Sequence, residues 1–322
     1  MSEYKSVKGT QIQVSAGDLT NPKVGQIWYN KTTQVLRGRV IAPAAWSTGE
    51  DMTKARRSFG YAGTQTAALA AAGGYPAFAT TEEYNGTAWS NANNMSASLF
   101  DLAASGLQTA AAVWGGDTTA TYEYDGTNWT TGGSLGIAVR TAAGFGLQTA
   151  AVSCGGISTG NPYTNATEEY NGTSWANSND LNTTRARLMG MGTLTAGLAA
   201  GGVNDSGSHA SRSTEEYDGT SWANSNGLNT ARRESGSSSG VQTSAVVFAG
   251  ITPSATVAIT EVYDGTCFSN DASMSSARAY LRGCGSTTAG LAFGGNNAAD
   301  TPQSLTEEYT GAAAGTVTID PV

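Results

Sequence analysis

Adjacent glutamates are the residues of this chain whose type and spacing most resemble a catalytic pair. Two carboxylates in different environments can serve as general acid and general base toward one substrate. Neighbouring residues on a β-strand point to opposite faces, however, so the members of one pair cannot reach the same substrate. We therefore expect one member to meet a repeated arginine or a backbone donor and the other to face solvent. The pairs are Glu82-Glu83, Glu168-Glu169, Glu215-Glu216 and Glu307-Glu308.

Other reactive side chains are few. The only histidine, His209, lies in a polar stretch and is expected to be exposed, and a single histidine excludes a multi-histidine metal or haem site. Three cysteines, Cys154, Cys267 and Cys284, are too few for a disulfide framework. The chain contains no nucleophile elbow, P-loop or metal-spaced cluster. We therefore expect no enzymatic activity, no cofactor and no metal.

Composition restricts the class of partner. Charged residues make up 13% of the 322-residue chain, and the formal net charge is −8 with only 17 Lys and Arg. No basic stripe is visible, so nucleic acid is not an expected partner. The first ten residues lack the apolar run of a secretion signal, and no stretch approaches the roughly 18 apolar residues of a membrane span. We expect a soluble chain with no membrane partner.

An internal repeat organises most of the chain. A tyrosine followed by Asx-Gly or a close variant returns every 40 to 47 residues, at Tyr84, Tyr124, Tyr170, Tyr217, Tyr263 and Tyr309. Another aromatic residue stands five positions after most of these tyrosines, at Trp89, Trp129, Trp175, Trp222 and Phe268. An apolar run ending in glycine precedes each tyrosine. Six units therefore fill the chain from about residue 46 to about residue 310.

Each unit predicts four short β-strands and no helix. The continuous apolar run 244–250 is typical of a strand covered on both faces. Asp264-Gly265 then separates two strand-like runs, which predicts a type I′ hairpin turn with positive φ at both central residues. Gly, Ser, Thr and Asn are too frequent for helices. Four-stranded sheets repeated six times indicate an all-β, six-bladed β-propeller.

The units resemble kelch repeats. The resemblance rests on the di-glycine that ends an apolar strand, the following Glu-Tyr or Glu-x-Tyr, and the later tryptophan. An arginine begins most units, at Arg56, Arg140, Arg185, Arg232 and Arg278. Leu99 stands where the second unit should carry this arginine, and Gly250 lacks its glycine neighbour. The resemblance covers about residues 46–310 and implies a kelch-like propeller.

The ends of the repeat indicate how the ring closes. The sixth unit ends at Tyr309 without a tryptophan, whereas Ala45-Trp46-Ser47-Thr48 precedes the first unit. We predict that the Trp46 segment supplies the missing outer strand of the last blade; the alternative is the C-terminal stretch 315–319. The predicted domains are therefore an N-terminal anchoring segment, 1–45, and a propeller, 46–322.

The loops that follow the di-glycine strands differ from unit to unit and should emerge on one rim. Loops on a rigid scaffold are where binding is usually carried. A second reading, in which these loops are only tolerant surface, stays open. The candidate contacts are Tyr75, Phe78, Asn161, Tyr163, Asp205, His209, Arg212, Asn296 and Asp300.

Residues 1–45 lie outside the repeat but predict a short β-hairpin at Gly25–Asn30 and the following apolar run. A piece of this length has too little core to be secure alone, so it is expected to dock elsewhere. The predicted anchoring residues are Ile27, Trp28, Tyr29, Val35 and Leu36. The Gly-x-Ile-Trp-Tyr-Asn segment is similar to one in virion proteins of tailed bacteriophages. The Thr-, Ala- and Gly-rich units resemble kelch-like structural proteins of marine phages and cyanophages.

This resemblance implies a non-enzymatic virion protein, made in the bacterial host cytoplasm, with its propeller displayed on the particle and residues 1–45 anchoring it. Attachment to the tail or fibre is favoured over capsid decoration. The expected partners are other virion proteins in several copies. Two alternatives stay open: the variable loops bind a host-surface carbohydrate, or the propeller is a glycan-degrading enzyme.

Overall fold

The computed structural model describes residues 12–160, 162–204, 209–237 and 240–319, and the regular elements in these ranges are β-strands. Contacts divide the chain into two units: a larger one, Ala45–Gly311, and a terminal unit, Met1–Ala44 with Ala312–Val322. No helix in the described ranges is long and apolar enough to cross a membrane.

The described residues of the larger unit form six antiparallel sheets of four strands each, here numbered 1 to 6. Sheet 1 is Gly60–Thr64, Ala67–Ala71, Thr81–Tyr84 and Trp89–Ala92; sheet 2 is Leu102–Leu107, Ala110–Gly115, Thr121–Tyr124 and Trp129–Thr131; sheet 3 is Ala143–Leu147, Ala150–Cys154, Thr167–Tyr170 and Trp175–Asn177. Sheet 4 is Met189–Thr193, Ala196–Ala200, Thr214–Tyr217 and Trp222–Ser225; sheet 5 is Gly236–Ser237, Ala245–Phe248, Thr260–Tyr263 and Phe268–Asp271; sheet 6 is Arg282–Gly285, Ala289–Phe293, Thr306–Thr310 and Ala45–Thr48. Two short ladders accompany them, Val139–Arg140 with Ile157–Ser158 and Arg185–Ala186 with Val203–Asn204.

The Asx-Gly segments form hairpins, but the turn differs from the one predicted. Tyr263 pairs directly with Phe268, which leaves a four-residue loop between them. In this loop Gly265 alone has positive φ, at 89°. The Asp264 carboxylate accepts the backbone N–H groups of the third and fourth loop residues, each at 2.8 Å. The type I′ prediction is wrong because the aspartate side chain, rather than a second left-handed residue, closes the turn.

One residue just before each innermost strand lies in the left-handed region, with φ between 51° and 59°. We call this set the axial ring: Ser58, Asp101, Thr141, Arg187, Glu234 and Tyr280. From Thr141 to Tyr280, each amide donates to the carbonyl of the member before it, at 2.9 to 3.2 Å. Ser58 N–H donates to Tyr280 O at 3.0 Å, and Leu102 N–H, beside Asp101, donates to Ser58 O at 3.4 Å. The six sheets are thus linked in a cycle, an arrangement consistent with a β-propeller.

The two ends of the larger unit meet in sheet 6. Trp46 lies opposite Tyr309 in an antiparallel pair, which is the pairing predicted for residues 45–48. The C-terminal strand Ala313–Ile319 instead pairs along its whole length with Val35–Ala42. The predicted propeller boundary of 46–322 therefore needs correction, because these backbone bonds join the strand Ala313–Ile319 to the terminal unit.

The described residues of the terminal unit form one four-stranded sheet, in the order Gln13–Ser15, Ile27–Asn30, Val35–Ala42, Ala313–Ile319. The predicted hairpin is present between the second and third of these strands. Ile27, Gly38 and Val317 lie side by side across three strands. Strand alternation adds Val40 and Val14 to the same side. We call this side, with the exposed Val14, Ile27, Val40 and Val317, the apolar face of the terminal sheet.

Replacing Trp46 tests the contribution of the Ala45–Thr48 strand to the larger unit. The Trp46 indole N–H donates to Thr260 Oγ1 at 3.1 Å and to Ala272 O at 3.0 Å, and its ring lies 5.1 Å from that of Phe248. We expect Trp46→Ala to lower the free energy of unfolding by about 3 kcal/mol in a urea titration. The control Trp46→Phe keeps most of the packing and should lower it by about 1 kcal/mol. An alanine variant as stable as the parent would contradict the importance of this strand.

Candidate functional site

A buried arginine–glutamate ion pair lies in four of the six sheets. In sheet 4, Arg185 Nη2 lies 2.9 Å from Glu215 Oε1, and the two side chains are 0% and 1% exposed. Arg185 Nη1 also donates to two backbone carbonyls, and Glu215 Oε2 accepts the N–H of Asn182. These first glutamates are structural, as expected. The equivalent pairs are Arg56–Glu82, Arg232–Glu261 and Arg278–Glu307.

Sheets 2 and 3 lack this ion pair. In sheet 2, Leu99 takes the place of the arginine and Tyr122 that of the glutamate, and both pack in one apolar cluster. In sheet 3, Val139 occupies the buried position that an arginine holds in four other sheets. Arg140, assigned to the repeat from the sequence, is the next residue and pairs with Asp117 at 3.3 Å nearer the surface. That assignment is wrong by one position, because adjacent residues of an extended segment point in opposite directions.

The second glutamates bond to the neighbouring sheet. The Tyr217 hydroxyl donates to Glu169 and the Tyr263 hydroxyl to Glu216. Burial, reinforced by these carboxylates, raises the pKa of both phenols to about 12. The expectation that the second glutamate faces solvent is therefore wrong, because a tyrosine of the next sheet reaches it. The same bond joins Tyr84 to Glu308, Tyr124 to Glu83 and Tyr170 to Glu123.

Tryptophan and glutamine side chains add bonds to the preceding sheet. The Trp222 indole N–H donates to Thr167 Oγ1 at 3.1 Å. Gln148 Nε2 donates to the carbonyls of Ala111 and Tyr124, at 3.0 and 2.9 Å. This role of glutamine was not predicted, although its recurrence in the polar turns signals it. The equivalent glutamines are Gln65, Gln108 and Gln242.

The axial ring gathers polar side chains that do not repeat. Arg187 Nε lies 3.3 Å from Glu234 Oε1, and the Glu234 side chain is 4% exposed. Burial raises the pKa of Glu234 to about 7, although the positive charge of Arg187 opposes this shift. Thr141 Oγ1 is buried without a hydrogen-bond partner among the described residues. These three residues line a cavity of about 20 Å³, enough for one water molecule. None of these residues was predicted from the sequence. The signal that could have found them is a position that varies from unit to unit while the residues around it repeat.

Two of the predicted loop residues lie beside the axial ring. Tyr75 is 70% exposed, and the Arg57 guanidinium lies 5.6 Å from its ring and 5.6 Å from that of Tyr280. Asp300 Oδ1 accepts hydrogen bonds from Arg57 at 2.8 Å and from Asn296 at 2.5 Å. Asn296 is buried, so it positions Asp300 and is not the contact residue that the sequence predicted.

The remaining predicted loop residues have separate environments. Phe78 and Tyr163 are half-buried, and His209 is exposed. The Arg212 side chain donates to a backbone carbonyl, Leu228 O. Within the described ranges, no group of three or more His, Cys, Asp and Glu side chains could hold a metal ion. Asn161 and Asp205 lie outside the described residues.

The predicted anchoring residues divide between the two sides of the terminal sheet. Ile27, Tyr29 and Leu36 lie on the side of the apolar face, and Ile27 is 41% exposed. Trp28 and Val35 lie on the opposite side, and Trp28 is fully buried. The assignment of Trp28 as an anchoring contact is wrong, because its side chain is fully buried within the chain and cannot reach a partner. The C-terminal part of the apolar face was missed because it comes from the far end of the chain.

The contribution of the buried ion pairs to stability can be tested with a matched set of variants. Arg185→Leu leaves Glu215 buried without its cation and should lower the free energy of unfolding by about 3–5 kcal/mol in a urea titration. The double variant Arg185→Leu with Glu215→Tyr copies the Leu99 and Tyr122 pair of sheet 2, and it should recover most of that loss. A single variant with parental stability, or a double variant less stable than the single one, would contradict the role of the pair.

The raised pKa of Glu234 predicts that the stability of the folded chain depends on pH. Its folded-state pKa of about 7 lies above the ordinary 4.5, so the folded state holds the proton more tightly than the unfolded state. The resulting stabilisation is complete below about pH 4.5 and is lost as the pH rises through about 7. Glu234→Gln cannot ionise, so we expect its stability relative to the parent to increase from pH 5 to pH 8 in urea titrations. Glu50→Gln, at an exposed position, is the control; a pH-independent difference for Glu234→Gln would refute the prediction.

Comparison with known proteins bears on the fold. No protein-family model and no curated protein matches the chain. Among solved structures, the chain is similar to one titled "Structure of YjhT", with a TM-score of 0.71 and 10% sequence identity. The match covers 83% of this chain and 99% of that one. At this identity the likeness shows the fold alone: an all-β chain of small four-stranded antiparallel sheets, consistent with a β-propeller.

Proposed function

We propose that the chain is a non-enzymatic structural protein of a tailed-bacteriophage particle, anchored by its terminal sheet and displaying a six-bladed β-propeller. The supporting observation is the concentration of exposed apolar side chains in the terminal unit. Seven of the twelve large hydrophobic side chains that are exposed in the described residues belong to it, although it is the smaller unit. Apolar patches of this kind mark surfaces that other proteins cover.

The apolar face has the geometry of an assembly surface. Its four exposed side chains, Val14, Ile27, Val40 and Val317, come one from each strand of the sheet. The outer strands, Gln13–Ser15 and Ala313–Ile319, are sheet edges with backbone groups able to pair with a further strand. The expected partner is another virion subunit, which packs on this face or extends the sheet.

Several features support the remaining parts of the proposal. Six equivalent sheets linked in a cycle support six blades, and the Tyr84–Glu308 bond joins sheet 1 to sheet 6. The paired glutamates are engaged in bonds within and between sheets, which supports a structural rather than a catalytic use of the frame. The resemblance of Gly25–Asn30 to phage virion proteins supports the proposed location in a phage particle. Tail or fibre attachment is the preferred position, and capsid decoration is the alternative.

Charges on the apolar face test this function. Val40→Lys with Val317→Lys changes two exposed positions, so the fold should persist. We expect the variant to enter phage particles about tenfold less than the parent, because buried lysine ammonium groups weaken the subunit contact. The measurement is mass spectrometry of particles purified from infected cells that express the variant.

Leu107→Lys with Leu147→Lys is the matched control, since both leucines are exposed in the larger unit. The control variant should enter particles as the parent does. Equal incorporation of the two double variants, or absence of the parent chain from particles, would overturn the proposal.

A further inference from the structure

Between the first two strands of each sheet in the larger unit, the chain makes a tight turn in which one residue holds an equivalent position. In sheets 1 to 5 this residue pairs with the residue three positions later. In sheet 6, Ser286 N–H donates to Ala289 O at 2.8 Å. A glycine precedes each of these residues, and in five turns its φ lies between 103° and 112°. We call this set the hairpin ring: Thr64, Leu107, Leu147, Thr193, Val241 and Ser286.

An open cavity of about 490 Å³ lies among these turns, and all six members of the hairpin ring line it. Sites for small molecules have volumes of roughly 300–1,000 Å³. No charged side chain is among the described residues that line the cavity. A charged ligand would lose part of its hydration there without meeting a partner of opposite charge. The cavity therefore favours an uncharged ligand.

Three members of the hairpin ring are apolar although their position in the turn does not require it. Leu107, Leu147 and Val241 are 47%, 53% and 54% exposed. They are three of the five large hydrophobic side chains that are exposed among the described residues of the larger unit. The same position is threonine or serine in sheets 1, 4 and 6, so the turn also forms around a hydroxyl residue. The leucine and valine side chains thus leave apolar area in contact with water, which a bound apolar group would cover.

The rim of the cavity is fixed by bonds between neighbouring sheets. In four turns the residue after the ring member is a glutamine whose side chain donates to two carbonyls of the preceding sheet, at 2.8 to 3.1 Å. The hydroxyls of Ser244 and Thr287 lie 2.7 Å apart and link the turns of sheets 5 and 6. A site held in this way loses little conformational freedom when a ligand enters, which favours binding.

The size of the cavity favours a small molecule over a protein partner. A stable protein interface buries about 800 Å² on each partner. The apolar members of the hairpin ring instead line a concave space with the volume of a single small-molecule site. The hydroxyl members can donate or accept a hydrogen bond.

We propose that the cavity of the hairpin ring binds an uncharged small molecule that has an apolar body and one or two hydroxyl or carbonyl groups. The apolar body packs on Leu107, Leu147 and Val241, and the polar groups bond to the hydroxyl members of the ring. This binding activity goes beyond the proposed structural function and does not depend on it, since the cavity belongs to the larger unit and the apolar face to the terminal unit.

Ligand-observed NMR on the full chain tests the proposal with three neutral probes, 4-ethylphenol, cyclohexanol and acetophenone. We expect at least one of them to bind saturably with a Kd of about 1 mM or below. Leu107→Thr with Leu147→Thr gives these turns the residue that sheets 1 and 4 carry, and it should weaken binding about tenfold. Ile137→Thr is the matched control, since Ile137 is 40% exposed in the larger unit and does not line the cavity. The control variant should bind as the parent does.

Three further probes test the chemistry of the ligand. 4-Ethylbenzoate and 4-ethylbenzylammonium carry a charge on the same apolar body, and methyl β-D-glucoside is uncharged but lacks an apolar body. Each should bind about tenfold more weakly than 4-ethylphenol or the best neutral probe. Circular dichroism of each variant checks that these exposed substitutions leave the fold intact.

The proposal is overturned if none of the three neutral probes binds at about 5 mM. It is also overturned if the double threonine variant binds as the parent does, or if Ile137→Thr loses binding to the same extent. Binding of a charged probe or of the glucoside as tight as that of the best neutral probe would exclude the proposed class of ligand.

Discussion

Backbone hydrogen bonds between members of the axial ring link the innermost strand of each sheet to the next, and the other contacts between sheets depend on this linkage. Each ring member is left-handed, which costs roughly 1–2 kcal/mol for a residue with a side chain. Thr141 is β-branched, the type for which this conformation is least favourable. The bonds of the ring use backbone groups, so they do not require a particular side chain at each member. Arg187 and Glu234 can therefore stand beside each other at the centre of an otherwise repetitive frame.

The contacts between the sheets are polar as well as apolar. Buried polar groups need a hydrogen-bond or ion-pair partner. This requirement explains how the sheets accommodate substitutions at the repeated polar positions. Where Leu99 removes the repeated arginine, Tyr122 removes the glutamate that would be left unpaired. Where Val262 replaces the second glutamate, Asp271 accepts the hydroxyl of Tyr309 at 2.6 Å. In sheet 3, where Val139 replaces the arginine, the buried Glu168 carboxylate instead accepts the backbone N–H groups of Gly136 and Ile137.

The proposed assembly surface belongs to the terminal unit. The apolar face is built from strands at both ends of the chain, and exposed valine and isoleucine side chains favour burial against another protein.

Periodic features could be predicted from the sequence because the residues that form each of them lie within one repeat. The spacing of Tyr84, Tyr124 and their equivalents indicated six four-stranded sheets, and the unpaired Trp46 segment indicated its partner strand. Loop variation named Tyr75 and Asp300 as candidate contacts, and the structure places both beside Arg57. Tertiary structure decided whatever depends on a distant partner: the pairing of Ala313–Ile319 with Val35–Ala42, the tyrosine bonds to the second glutamates, and the meeting of Arg187 with Glu234. The physical reason is that the spacing of residues within a repeat encodes which way a side chain points, whereas the group it meets is set by how separate sheets pack.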